Sequence, residues 1–157
     1  MRNEYNIGRG RFPINQKGMR KRLKKKNTVR CPYCGAEAKL RPATVVYGDA
    51  TLNKNGYVYV CDRYPSCDAY VAAHAESKLP MGTLANGELR NKRIHAHHAF
   101  DQLWKSGRMT KKEAYRWLQM QFGLPREHAH IGMFGDYMCE RLIRECTETA
   151  EKMKIAI

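Results

Sequence analysis

Two spacings of apolar residues divide the chain. Between residues 45 and 73 they come in short runs, Val45-Val46-Tyr47, Tyr57-Val58-Tyr59-Val60 and Ala69-Tyr70-Val71-Ala72-Ala73, rich in β-branched and aromatic types. Such runs predict three short strands. The stretch from Gly48 to Gly56 ends in Asn55-Gly56, a pair that tolerates the left-handed backbone of a tight turn, so the first two strands are expected to form a hairpin. Side chains alternate along a strand, which puts Tyr57 and Tyr59 on one side and Val58 and Val60 on the other. With the valines inward the tyrosines form an exposed platform, the orientation preferred here; the reverse makes them core.

From residue 92 the spacing becomes helical. Ala96, Ala99, Phe100, Leu103 and Trp104 share one face of a helix over 92–105, and Gly107 suits its end. A second helix is expected from Thr110, which forms a capping box with Glu113: the hydroxyl takes an orphan N–H and the carboxylate reaches back. Its buried stripe is Ala114, Tyr115, Leu118 and Phe122, and Gly123 followed by Pro125 ends it. Trp117 lies off that stripe and is expected to pack against the strands; the alternative is that Trp117 and Arg116 meet a protein partner. A third helix spans 136–153, with Met138, Leu142 and Cys146 on its inner face. A connector with Pro80, Gly82 and Gly87 precedes the helices, and residues 1–27 show no apolar period.

Charge gives that unpatterned arm a meaning. The 157-residue chain carries a formal +14, with a sequence pI of about 9.7. Residues 1–30 hold eleven Lys/Arg against one acid, Glu4, a formal +10, so the rest of the chain is only mildly basic at +4. Like charges in the run Arg20-Lys21-Arg22-Leu23-Lys24-Lys25-Lys26 repel, which predicts an arm disordered until it meets a polyanion; a merely solubilising tail is the plain alternative. Nucleic acid is the commonest such partner. No run of about 18 apolar residues predicts a membrane span, and no apolar stretch follows the basic start as a secretory signal would require. A cytoplasmic protein with no membrane partner is expected.

The six cysteines are then expected to be reduced, four of them on a metal. Cys31-Pro-Tyr-Cys34 is a C-x₂-C knuckle followed by Gly35, which relieves crowding in the turn. Cys61 and Cys67 form a second pair, and the residues between the pairs suffice for a hairpin to go out and return. Four thiolates with no open position specify one structural Zn²⁺, held by Cys31, Cys34, Cys61 and Cys67. The expected fold class is α+β: a disordered basic arm (1–27), a small four-cysteine zinc ribbon (28–78), and a connector with a three-helix unit packed on it (79–157). Four thiolates and one Zn²⁺ sum to −2, and Arg30, Lys39, Arg41 and Arg63 near the ligands either offset that charge or face phosphates.

The residues Cys31, Cys34, Gly35, Cys61, Tyr64, Pro65 and Cys67 resemble the C-terminal zinc ribbons of type IA DNA topoisomerases, over about 45 residues. In those ribbons single-stranded DNA is bound partly by aromatic stacking, so the resemblance implies fold and a stacking role for Tyr64. Nothing matches the topoisomerase catalytic domain. A wider resemblance over about 30–150 adds Gly82-Thr83-Leu84-Ala85-Asn86, Arg93, Ala96-His97, Phe100-Asp101, Leu103-Trp104, Ala114-Tyr115, Trp117-Leu118 and His130-Ile131-Gly132. It is similar to a zinc-finger-containing family of bacterial and phage proteins, which implies the domain arrangement and no activity.

Six histidines raise a second-site question. His97 sits at the edge of its helix's apolar stripe with Asp101 one turn on, and His130 precedes the last helix. His97, His130 and Cys139 are candidates to meet between helices as a second zinc or catalytic site; the expectation is instead that the histidines are partly buried and hydrogen-bonded, and that Cys139 and Cys146 are small apolar core residues. No phosphate loop, nucleophile elbow or HExxH is present, so no enzyme is expected, a metal-dependent nuclease being the alternative. The functional expectation is non-catalytic binding of single-stranded DNA or RNA through Arg20, Lys21, Arg22, Lys24, Lys25, Lys26, Arg30, Arg63 and Tyr64. The competing one is an adaptor or phage-type inhibitor acting on a host nucleic-acid-handling or defence complex.

Overall fold

A computed structural model describes residues 28–50 and 56–154. The arm, the tip of the predicted hairpin including Asn55, and the basic run at 20–26 lie outside these residues. Strand β1 (Ala38–Pro42) pairs antiparallel with β2 (Tyr57–Cys61), from Ala38 opposite Cys61 to Pro42 opposite Tyr57. Strand β3 (Tyr70–Ala72) lies antiparallel on the other side of β2, which is therefore central.

The first strand is not where the apolar run predicted it. Val45, Val46 and Tyr47 belong to a one-turn helix, α1 (Thr44–Tyr47). The hairpin partner of β2 is the polar segment Ala38–Pro42, of which only Ala38 is buried. An edge strand with solvent on its side chains shows no apolar pattern, and Pro42, which lacks an N–H, is tolerated at an edge. Of the 45–47 run only Val46 faces the sheet, half-buried beside Ala43 against Val58 and Val60, and Tyr47 meets Tyr70 edge-on; Val45 and Tyr47 are otherwise exposed.

The valines point inward, as preferred. Val58 and Val60 are buried, Tyr57 is exposed and Tyr59 half-buried. The tyrosine side is partly roofed by the turn after β3, where the Tyr59 hydroxyl donates to the Lys78 carbonyl (2.8 Å) and the Lys78 ammonium lies 4.3 Å from the centre of the Tyr57 ring.

Three longer helices follow. Helix α2 (Gly87–Lys105) begins five residues before the expected 92, because the Asn86 side chain accepts from the Leu89 N–H (2.9 Å) and caps it. Helix α3 (Lys111–Phe122) carries the capping box: the Glu113 N–H donates to the Thr110 hydroxyl (3.2 Å) and the Thr110 N–H to the Glu113 carboxylate (2.7 Å). Gly123, in the left-handed region at φ 61°, ends it. Two 3₁₀ turns, Arg126–His128 and Ile131–Met133, lead into α4 (Asp136–Lys152). The helical core joins Leu89, Ala96, Phe100 and Leu103 to Ala114, Leu118, Ile131, Phe134, Cys139, Leu142 and Cys146. Both cysteines are buried there, as expected. Trp117 is half-buried against this same core and not against the strands. No described helix is long and apolar enough to cross a membrane.

The seam between sheet and helices is built by residues 81–93. Tyr70 and Ala85 exchange both backbone hydrogen bonds (3.1 Å each). Extended backbone turns neighbouring side chains to opposite sides, so Leu84 enters the cysteine cluster while Ala85 enters the helical core. Gly82 crosses Gly132 so closely that a Cβ on Gly82 would stand 1.9 Å from the Gly132 carbonyl oxygen. Arg93, buried on α2, donates through Nε to the Phe134 carbonyl (2.9 Å) and through Nη1 and Nη2 to the Thr83 carbonyl (2.8 Å) and hydroxyl (2.7 Å). One planar guanidinium thereby joins connector, helix and the approach to α4.

Candidate metal centre

Two hairpin-like knuckles bring the four cysteines together. In the first, the Cys31 N–H donates to the Ala36 carbonyl (2.8 Å) and the Gly35 N–H to the Cys31 carbonyl (3.0 Å). Gly35 sits at φ 72°, where a side chain would be strained. In the second, the chain leaves β2 at Cys61, turns through Tyr64 N–H to Cys61 carbonyl (2.9 Å), and returns with the Cys61 N–H donating to the Ala69 carbonyl (3.0 Å). The Asp62 N–H donates to the Glu37 carbonyl (2.9 Å) and ties one knuckle to the other.

The four sulfurs lie within 4.8 Å of one another, with Cys31 Sγ to Cys67 Sγ at 3.6 Å and Cys34 Sγ to Cys61 Sγ at 3.3 Å. Tetrahedral Zn–S bonds of about 2.3 Å set sulfurs ~3.8 Å apart, so the donor set fits Zn²⁺ in both type and spacing. Among the described residues it is the one cluster of three or more His, Cys, Asp or Glu side chains placed to share an ion.

Backbone amides lower the pKa of each of three thiols, and burial offsets them unequally. The Ala36 amide bonds Cys34 and, with help from the Cys61 thiol, draws its pKa down to about 7. Burial pushes Cys61 up to about 12, against the Arg63 amide that bonds it. At Cys67 the Ala69 amide lowers the pKa, but burial and the Cys31 thiol outweigh it and the net shift is upward. Each of these amides lies two residues after its cysteine. Residue type gives no signal for them, because every non-proline residue offers an N–H; the signal is the offset from the ligand. A divalent cation would override these differences, since thiolate is the form that binds it.

The surrounding cations divide. Lys39 (2.9 Å) and Arg41 (3.6 Å) both pair with Asp62, whose carboxyl they hold below its ordinary range, Lys39 foremost. The Arg30 guanidinium donates to the Gly35 carbonyl (3.2 Å), at the rim of the first knuckle. Arg63 is exposed and makes no ion pair among the described residues. Tyr64, expected to be exposed, is half-buried against Val58 and Val60, because the second knuckle folds back onto the valine side of the sheet.

The helices are moored to the second knuckle by residues that sequence reading passed over. The Asp68 carboxylate accepts from the Gly87 N–H (2.8 Å) and from Arg90 (3.1 Å). The Arg90 guanidinium also lies 3.8 Å from the centre of the Tyr70 ring. The Asn86 N–H donates to the Tyr33 hydroxyl (3.2 Å), linking the first knuckle to the start of α2. Asp68 directly follows Cys67, but nothing in its own neighbourhood announces a partner 22 residues away.

The second candidate site is not assembled. His97 and His130 are exposed and, among the described residues, no hydrogen bond holds either side chain, while Cys139 is buried in the helical core. The hydrogen bonds expected of these histidines are not found among the described residues, although burial of part of the His97 ring lowers its pKa. Asp101, the intended partner of His97, instead accepts from Trp104 Nε1 (3.2 Å) and pairs with Lys105 (2.7 Å).

A three-stranded antiparallel sheet, two cysteine knuckles at one end and four converging thiols define a zinc-ribbon protein, here extended by a helical unit. Residues 27–149 match the family model of a zinc-finger-containing domain, and the chain belongs to that family. No curated protein and no solved structure matches it.

Proposed function

We propose that this chain is a non-catalytic zinc protein that binds nucleic acid, with one structural Zn²⁺ holding the ribbon and the basic arm supplying phosphate contacts. The observation that carries this reading is where the charge sits. Eleven Lys/Arg fall within residues 1–30, and that segment runs directly into the first zinc ligand. The arm is thereby delivered to the cysteine-knuckle end of the ribbon, whose residues Tyr33, Arg30 and Arg63 are exposed. Aromatic faces among cations suit single strands, since every base offers a face for stacking. Because one side of Tyr64 is spent on the valine cluster and Lys78 lies over the Tyr57 ring, the exposed ring of Tyr33 is the better stacking platform. The non-catalytic part rests on the donor set: four sulfurs complete a tetrahedral Zn²⁺ and leave no position for water or substrate.

The test is fluorescence anisotropy of a labelled single-stranded oligonucleotide over a series of salt concentrations, with the full chain and with one starting at Thr28. Binding by the full chain with a log–log slope of several units, and weaker binding with a smaller slope for the shorter chain, is the expected result. Absence of binding at about 0.15 M salt, where loose contacts are screened, removes nucleic acid as the partner. An adaptor role on a host protein complex then becomes the reading to pursue.

A further inference from the structure

The helical unit carries a cleft that neither the zinc site nor the arm explains. It encloses about 600 Å³ between α3 and the segment around the first 3₁₀ turn, and is lined by Lys111, Lys112, Tyr115, Arg116, Arg126 and His130, with Gln119 at its side. Four of these side chains are permanent cations and none is a carboxylate. None of the four cations forms an ion pair with a described Asp or Glu. The one acid in the first turn of α3, Glu113, is turned back onto the Thr110 N–H (2.7 Å) and hydroxyl (2.8 Å), where the capping box holds it.

Two features show that this charge is not a generic solvated face. Lys111 and Lys112 are the first two residues of α3, where the helix's own field opposes positive charge. Glu113, the one acid of that turn, is committed to the cap, and Lys111 lies over the Trp104 ring (5.3 Å), which leaves Lys112 the cation placed against the helix field with no ion-pair partner among the described residues; such breaches of local preference gather where a ligand offsets them. The cations also come from two walls. Lys112 and Arg116 are one turn apart on α3, and Arg126 faces them from the 3₁₀ turn. Tyr115, packed edge-on against Phe100 with ring centres 5.1 Å apart, provides a fixed aromatic wall. A lone phosphate, at about two charges, would leave half the cleft's charge unanswered; a strand with one charge per nucleotide would not.

We propose that this cleft binds the sugar–phosphate backbone of single-stranded nucleic acid, with Lys112, Arg116 and Arg126 on phosphates. The ligand class rests on the reading given under Proposed function; the site goes beyond it, since it lies on the helical unit and needs neither the arm nor the ribbon tyrosines. A strand held at both places would run along the molecule from the arm to α3.

Anisotropy titrations of a labelled thymidine oligonucleotide test it, using three full-length variants. The first is Lys112→Gln/Arg116→Gln/Arg126→Gln. The second is a charge-matched control outside the cleft, Arg144→Gln/Lys152→Gln/Lys154→Gln. The third replaces Arg20, Lys21, Arg22, Lys24, Lys25 and Lys26 with Gln. Zinc content and helical circular dichroism verify that each is folded. The cleft variant is expected to lower the log–log salt slope by about 2, at ~0.7 for each phosphate no longer neutralised, and to bind on the order of a hundredfold more weakly at 0.1 M salt. The charge-matched control is expected to stay close to wild type. Should the triple variant misfold, Arg126→Gln alone, outside any long helix, is expected to lower the slope by about 0.7. A cleft variant that binds like wild type, or no worse than the charge-matched control, overturns the inference and leaves the arm-and-ribbon reading standing. Loss of binding in the cleft variant with an arm variant that binds like wild type supports the inference and overturns the arm's role. Wild-type protein that fails to bind at all overturns both.

Discussion

The ribbon and the helical unit reach order by different means. The ribbon buries little beyond Val58, Val60, Leu84, three alanines and two of its own cysteines. The helical unit buries Phe100 and leucines on facing helices, with Ile131 and Phe134 closing the end. A sheet of three short strands cannot offset its ordering entropy from so small a core, so the metal is what makes it a fixed object. The helices need no ion, because their stripes meet one another. The same chain thus relies on coordination at one end and on packing at the other, and residues 81–93 decide how far the two are linked.

Removing the metal breaks the comparison most forcibly. Chelation, or Cys61→Ser, is expected to forfeit metal-linked folding free energy on the order of 10 kcal/mol from the ribbon. Amide exchange there should become fast while most helical circular dichroism survives. Retention of tightly bound zinc by Cys61→Ser protein would contradict the ligand set. The mirror experiment is Phe100→Ala, expected to cost about 3–5 kcal/mol in the helical unit with zinc stoichiometry unchanged; loss of zinc in that variant would mean the two regions fold as one.

Arg93 measures the link itself. Truncating it leaves the Phe134 and Thr83 carbonyls without their donors, expected to cost about 2–3 kcal/mol. Burial lowers its pKa, but a guanidinium stays protonated, so what truncation removes is the three hydrogen bonds. Arg93→Lys is expected to recover little, because an ammonium cannot span both walls as a planar fork does. Full recovery of the melting temperature by lysine would show that charge, and not shape, is what the seam requires.

Much of this was legible beforehand. The convergence of Cys31, Cys34, Cys61 and Cys67, the capping box at Thr110, the stripe Ala96-Phe100-Leu103 and the inward valines of β2 all appear as expected. Each depends on residues within a turn or two, or on a side-chain chemistry that few other roles require. The misplaced first strand shows the opposite case. Three apolar residues at 45–47 are too short a run to separate helix from strand, and in α1 only Val46 packs on the sheet while Val45 and Tyr47 stay exposed. The polar strand Ala38–Pro42 and the early start of α2 were hidden for a related reason: one side chain in five is buried in the former, and Asn86-Gly87 reads equally well as a turn or a cap.

Spacing and donor chemistry suffice for the four-cysteine set, the class of the fold, the three long helices and the concentration of charge in the arm. Packing in three dimensions is what sends Leu84 and Ala85 into different cores, makes Arg93 and Asp68 hold the two regions together, and keeps His97, His130 and Cys139 apart. It also decided that Arg126 joins the cations of α3 across a cleft. The fate of a polar side chain is set by what lies opposite it, and here the opposite group stands 10, 22 or 41 residues away, beyond the reach of any local pattern.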